Sequence, residues 1–558
     1  MIKLVEYFKQ NLISFLSNKK LVFSHYFFLE KRLKKQLKFN SNNINLENIS
    51  NKKIIIPLIE TSHYQHLQIL GLAKALELRG AEIKLLICDG FLDACEIKSQ
   101  RNQNVKNPCL NCKHHINKVL PIFNFKQITI LDLISKSELI KIEDKAQDLL
   151  DSGNYEYMGY NFQSCLEDSI TRYYYGKISK DKEKIRSLKL LNIKTSIIGI
   201  IAGRKILDNF NPNIFLNNMN AYTTWSPLID VFVKNNVQKV LINMASFNFK
   251  CIRFNIEDVF KDTKTYKEYK SKRTTTELSI SEENTLSKFM NDRISGAADS
   301  FKKYNYFSKK SKNYIKKINF NTNKKNIFIF PNLLWDTGIT ENNTGLFDSI
   351  LSWLFETIEI LKDNKKINLY IKTHPAEEFS SVKSAKTVHD HVMEKYPNLP
   401  SNIKFILPKM KINSYDLFKY IDLGLIYNGT IGLEMMLSKI RIVSVGKTVY
   451  SGLGLSHEPE DLNDYKNFLI DDKTYDVDKT EEVKLFAYFY FIKTQIPWTL
   501  TRKVWGYNFK GYTFNSLEDI IPGKNKHLDL LCRSILFPET YSVYDDIDNP
   551  GSIQYLNN

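Results

Sequence analysis

The sequence predicts an α/β protein of two domains, each built on a parallel β-sheet, with a helical extension at the N-terminus. Three observations predict it. Short apolar runs, each closed by a glycine or polar turn and followed by a helical segment, recur in two series, from residue 53 to 243 and from 326 to 446. The strand-like runs are apolar at consecutive positions, as strands buried on both faces require. At 558 residues the chain is also too long for one hydrophobic core.

The stretch from Ile421 to Pro459 carries the most information. Leu423 to Tyr427 reads as a buried parallel strand ending in the tight turn Asn428-Gly429-Thr430. A helix follows, with Thr430 as its expected N-cap and Glu434 near its first turn, among Leu433, Met435, Met436 and Leu437. A second strand, Ile440 to Val445, ends at Gly446. Such a strand–turn–helix aims backbone N–H groups at one point and suits an anion such as phosphate; an ordinary βαβ unit with nothing bound is the alternative. Upstream, the strand Ile367 to Lys372 ends in Thr373-His374-Pro375-Ala376-Glu377-Glu378. His374 is thereby placed at a strand's carboxyl end, where open α/β sheets bind ligands. Two such turns in one α/β region point to a shared crevice.

These residues carry a family resemblance. His374-Pro375, Thr430-x-Gly432-x-Glu434 and Gly446-x-x-x-Tyr450-x-Gly452-x-Gly454 resemble the capsule polysaccharide biosynthesis family of glycosyltransferases, which includes bacterial Kdo transferases. Phe330-Pro331-Asn332, Trp335-Asp336 and the segment from Phe347 to Trp353 are similar to its C-terminal domain. The resemblance is good over 320 to 460 and loose over 50 to 260. It implies a GT-B-like arrangement, two Rossmann-like domains facing a cleft, and transfer of a sugar from a nucleotide donor to a surface-polysaccharide or glycolipid acceptor. CMP-Kdo or a similar acid sugar is the first donor, with a UDP- or GDP-sugar close behind. The donor-binding residues so implied are His374, Pro375, Glu377, Thr430, Ile431, Gly432, Glu434, Gly446 and Tyr450. His374, Thr430 and the backbone at Ile431 and Gly432 would hold the phosphate, and Glu434 the ribose. Alanine at His374 or Glu434 is then expected to lower turnover and leave the melting temperature nearly unchanged. One departure stands out: relatives carry Ser or Thr where Asn428 and Gly429 stand. A teichoic-acid-type polyol-phosphate transferase using a CDP donor, and a catalytically silent assembly protein of the same fold, remain alternatives.

The rest of the chain divides around these motifs. Residues 1–50 form a basic amphipathic extension and linker: Ile2, Leu4, Val5, Phe8, Leu12, Phe15 and Leu16 recur at helical spacing, and Lys31-Arg32-Leu33-Lys34-Lys35 follows. That pattern suits an anionic membrane surface, or equally packing on the protein itself. No apolar run reaches the length of a membrane span and no signal peptide is visible, so a cytoplasmic protein, peripheral on the inner membrane face, is expected. Residues 51–320 make the acceptor-side domain, opened by the strand Ile54 to Leu58, a polar loop from Glu60 to His66, and the helix Leu67 to Arg79. Glu60, His63 and His66 are the acid/base candidates there, with a solvated loop as the alternative. No GxGxxG fingerprint follows the strand, which excludes an ordinary dinucleotide dehydrogenase.

An insert at 88–115 holds Cys88, Cys95, Cys109 and Cys112, either a structural zinc site or unligated thiols. Catalysis itself calls for no cofactor. Residues 321–465 form the nucleotide-sugar domain, and 466–558 a helical or irregular region packing back. The net charge of +18 invites nucleic acid as a partner, but no RNA-binding motif or aromatic-basic ladder accompanies it.

Overall fold

Lys53–Leu58 (β1) and Glu82–Ile87 (β2) pair in parallel along their whole length, both largely buried. The intervening helix, His63–Glu77 (α1), lays Leu67, Leu70, Ala73 and Leu76 against them. This βαβ unit starts the first of two sheets in the computed structural model. It describes residues 29–38, 50–59, 63–95, 109–177, 179, 181–244, 251–255, 264–295, 311, 314–316, 318, 320–321, 323–336, 346–379, 383–471, 479–501, 509 and 511–537.

After the helix Cys109–Lys118 (α2) comes Lys126–Thr129 (β3), parallel to β2. A small antiparallel ribbon, Glu156–Tyr157 (β4) with Tyr160–Asn161 (β5), precedes two helices, Gln163–Tyr174 (α3) and Lys182–Phe210 (α4). Helix α4 buries Ile193, Ile197, Ile200 and Ile206 in a core beside the sheet. Ile214–Asn217 (β6) then pairs with β1, and Gln238–Met244 (β7) with β6, both in parallel. Cys251–Asn255 (β8) turns antiparallel to β7.

The helix Ile280–Ser295 (α5) leads towards the second sheet. Its strands are Lys325–Phe330 (β9), Ile367–Lys372 (β10), Ile403–Ile406 (β11), Leu423–Ile426 (β12) and Arg441–Ser444 (β13). They lie in the order β11–β10–β9–β12–β13, all parallel. Every residue of β10 is buried, Asn368 and Lys372 included, as in a strand covered on both faces. Alternate residues separate two cores. Ile327, Ile329, Leu369 and Ile371 pack with Trp353, Leu354 and Ile358 of the helix Ile350–Leu361. Phe328, Phe330, Tyr370 and Ile426 join a larger cluster that runs on into Ile54, Leu70 and Leu85 of the first unit. The two-sheet α/β architecture expected from the sequence is therefore present, and one apolar core is common to both sheets.

The helix Ile431–Leu437 (α6) joins β12 to β13. Beyond β13 the chain returns: Thr480–Tyr488 (α7) packs on α6, and Gln495–Pro497 (β14) pairs antiparallel with β8. The first sheet thus reads β14–β8–β7–β6–β1–β2–β3. Lys526–Leu536 (α8) then packs on α1, with Arg79 of the first unit paired to Asp529.

Residues 29–36 are helical. Leu29 and Leu33 are buried in the common core, and Gln36 donates to the Tyr512 carbonyl at 3.0 Å. A loosely attached extension is therefore not what these residues form; their apolar face packs on the C-terminal segment, while Lys31, Arg32, Lys34 and Lys35 stay exposed. The amphipathic pattern from Ile2 to Leu16 lies outside the described residues. Among the described residues, no helix is long and apolar enough to cross a membrane.

Candidate functional site

The carboxyl edge of the second sheet gathers the ends of β9, β10 and β12. Just beyond β10, His374 is exposed, while Thr373 before it and Ala376 after it are buried. Its Nδ1 accepts a hydrogen bond from the Ala376 N–H at 3.1 Å. That bond fixes the neutral imidazole as the tautomer with its proton on Nε2, so the ring offers a donor. Pro375 is half-buried and starts the short helix Ala376–Phe379. Glu377 is 2% exposed and its Oε1 accepts from the Val388 N–H at 2.9 Å. Burial pushes its carboxyl up to about 7. Glu377 therefore ties two helices together here.

Two strands away, Asn428 donates its N–H to Asn332 Oδ1 at 3.3 Å, joining the turn after β12 to the segment after β9. Gly429 takes φ 137°, and nothing lies within 4 Å of where its Cβ would be, so backbone conformation alone asks for glycine. Thr430 is not the capping residue expected: its φ of −74° and ψ of −14° are helical and its side chain makes no cap. Its Oγ1 instead donates to Glu434 Oε1 at 3.3 Å and accepts from Arg293 Nη2 at 3.2 Å. Ile431 is half-buried at the head of α6. With seven residues, α6 carries little macrodipole, and anion recognition falls to discrete donors.

Glu434 does not face open space. It is 1% exposed; Arg293 Nε donates to its Oε1 at 2.8 Å and Tyr415 Oη to its Oε2 at 2.7 Å. Glu434, to which the resemblance gives the ribose, is held in a buried ion pair linking α5 to α6. Arg293 itself is 6% exposed, and Glu434 holds its guanidinium firmly protonated. Sequence reading missed Arg293 and Tyr415. Arg293 lies 141 residues from its partner, and no local pattern marks it.

Tyr450 and Gly446 are buried as well. A Cβ at position 432 would lie 2.0 Å from Tyr450 Oη, which therefore fills the space a side chain would occupy. Burial pushes the phenol up to about 12. Gly432 and Tyr450 are thus a packing pair beneath the site. Gly432→Ala is expected to cost about 1–3 kcal/mol in urea unfolding, most of it regained when Tyr450→Phe is added. A single Gly432→Ala variant as stable as the wild type would refute that fit.

The first unit supplies less than expected. Glu60 lies outside the described residues. His63 starts α1, and the placement of its side chain also lies outside the description. The loop expected from Glu60 to His66 is, from His63 on, already helix. Helical spacing puts His66 on the face of Leu67 and Leu70, and it is 5% exposed, turned inward instead of to a cleft. There it lines a small chamber with His115, Cys88, Cys95, Cys109 and Cys112, the two rings 5.6 Å apart. Cys109 and Cys112 are one turn apart on α2, not in a zinc-knuckle turn. No disulfide joins these four cysteines. Among the described residues no three His, Cys, Asp or Glu side chains are grouped to hold a metal ion.

The two units also meet at the rim. The Ala385 N–H donates to the Tyr175 carbonyl at 2.9 Å, and His391 Nε2 to the Gly176 carbonyl at 3.0 Å. Arg172 lies 4.7 Å over the Trp335 ring.

Residues 255–478 match the model of a family described as capsule polysaccharide biosynthesis protein. The matched stretch takes in α5, the whole second sheet, and both turns that carry His374 and Thr430. Arg293 and Glu434 both belong to it. Two solved KpsC structures from Thermosulfurimonas dismutans, a β-Kdo 2,4 transferase and a β-Kdo 2,7 transferase, are similar to the chain. Their TM-scores are 0.32 and 0.31 at 12% and 13% identity, over 50% and 51% of this chain and 79% of each of those. A UDP-GlcNAc 2-epimerase from Neisseria meningitidis follows at TM-score 0.18 and 11% identity, over 89% of this chain and 95% of that one. Scores and identities this low bear on neither substrate nor mechanism. No curated protein matches the chain in sequence.

Proposed function

We propose that the protein is a glycosyltransferase of surface-polysaccharide synthesis, moving a sugar from a nucleotide donor to a carbohydrate or lipid-linked acceptor. CMP-Kdo or a similar acid sugar is the first donor. The observation that carries this reading is the exposed His374 imidazole, its Nδ1 engaged by the Ala376 N–H, at the strand edge of the stretch that matches the capsule-synthesis family.

The chemistry follows from charge. As the glycosidic bond to the leaving phosphate breaks, negative charge grows on the phosphate oxygen and positive charge on the sugar ring. A donor already oriented at that oxygen stabilises the transition state without reorganising. His374 Nε2–H supplies that donor, and the backbone around Ile431 and Gly432 lies along the same sheet edge. The Arg293–Glu434 pair keeps Thr430 in place and does not itself meet the sugar. The acceptor hydroxyl needs a base from the first unit. Glu60 and His63 are the remaining candidates, since His66 is enclosed.

Product analysis with radiolabelled CMP-Kdo, UDP-sugars and CDP-polyols, offered with capsule-type acceptors, tests the reading. A labelled sugar in glycosidic linkage is expected. A polyol phosphate joined through a phosphodiester would identify a teichoic-acid-type transferase instead, and no turnover with any donor would leave an assembly role.

A further inference from the structure

Lys372 is the last residue of β10, adjoining Thr373 and His374, and it is 4% exposed. Among the described residues no carboxylate pairs with it and no hydrogen bond holds its ammonium. A buried cation without a counter-charge is costly, and folds rarely keep one without a use.

Its surroundings suggest the use. Strand register sets Lys372 beside Ile406, and one step beyond the Ile371–Ile329 pair it stands level with Phe330. Phe330 in turn pairs with Ile426, and Ile426 with Ser444. Lys372 is thus the single charge in a cross-strand row that is otherwise apolar or neutral, at the carboxyl edge. Ile406, Phe330 and Ile426 from that row share one core, so the row points to one face. Gly432 sits on the same face, its Cβ position 3.4 Å from Ile426 Cγ1. Lys372 and Ile426 are two strands apart, about 10 Å. A four-carbon stem is long enough to span much of that gap. Thr373, the next residue, has a buried hydroxyl that finds no partner among the described residues either.

We propose that Lys372 is the cation that receives the phosphate of the nucleotide donor. The proposal rests on the transferase reading above and adds to it the charge that α6, too short to act through its dipole, does not supply. Phosphate arriving beside the buried amine removes the cost of its lone charge, so binding and protonation are coupled. Burial lowers the amine to about 8 in the unliganded protein. At pH 9 the amine is therefore mostly neutral, and the arriving anion draws a proton onto it. At pH 7 it is already protonated and little uptake follows.

Titration calorimetry with CMP at pH 9, in two buffers of different ionisation enthalpy, reads this directly. Wild-type protein is expected to take up most of one proton per CMP and none with cytidine. Lys372→Met is expected to bind CMP 10- to 100-fold more weakly, without that uptake, and to melt no lower than the wild type. Equal CMP affinity and equal uptake in Lys372→Met overturn the proposal and leave the transferase reading standing. Wild-type protein that binds none of CMP, UMP and GMP overturns both. Should Lys372→Met misfold, wild-type CMP binding without proton uptake at pH 9 refutes the proposal alone.

Discussion

Glu434→Ala is expected to destabilise the protein by about 3–5 kcal/mol, because it leaves the Arg293 guanidinium buried and without its counter-charge. Arg293 is 6% exposed and Glu434 1%, so water cannot replace the lost partner without opening the joint between α5 and α6. The same structure predicts a gentler double change. Arg293→Met with Glu434→Met removes both charges and keeps volume, and such replacements of buried pairs are often neutral or better. Chemical denaturation of the wild type and the two variants decides the matter. A loss below 1 kcal/mol for Glu434→Ala would mean that the pair is not formed as described. The expectation from sequence, that this glutamate could be removed without harm to the fold, is thereby reversed.

His374→Ala is expected to act in the opposite way. The ring is exposed, so its loss should shift stability by no more than about 0.5 kcal/mol. Turnover should fall by about 10²–10³-fold, the usual cost of removing one oriented donor to a developing oxyanion. His374→Gln, which can present an N–H near the position of Nε2, should recover part of the loss. Steady-state kinetics beside thermal melts separate these results. Full turnover in His374→Ala would remove the residue from the mechanism, and a collapsed melting temperature would make it structural.

Much of the second sheet could be read from the chain because its strands are fully buried. A residue run such as NIFIF, apolar on both faces over Ile327 to Phe330 and stopped by Pro331, leaves few other readings. The turn at Asn428-Gly429 was legible for the same reason: φ of 137° is open to glycine and little else. What escaped were features set by distant partners. Strand β14 is three residues long and finds β8 across more than 200 residues of chain, a pairing with no periodic trace. The histidines of ETSHYQH look like a loop because they are polar, yet His66 is drawn inward by its helical register with Leu67 and Leu70. Glu434 shows a motif position correctly found and its surroundings unseen, since Arg293 and Tyr415 come from other elements. Lys372 was visible as a charge ending a largely apolar strand, but only the structure showed it buried with no counter-charge among the described residues.

The route of the chain also sets an order for biosynthesis. Strand β14, helix α8 and the Tyr512 and Phe514 carbonyls that accept from Gln36 all come from the last portion of the protein, yet all complete the first unit. A nascent chain halted anywhere before residue 495 lacks the edge strand of the sheet it began at Lys53. The second sheet, by contrast, has all its strands by Ser444. Translation thus delivers the later-encoded sheet whole while the earlier one still waits for its closing strand, a reversal of the usual N-terminal-first succession of domains.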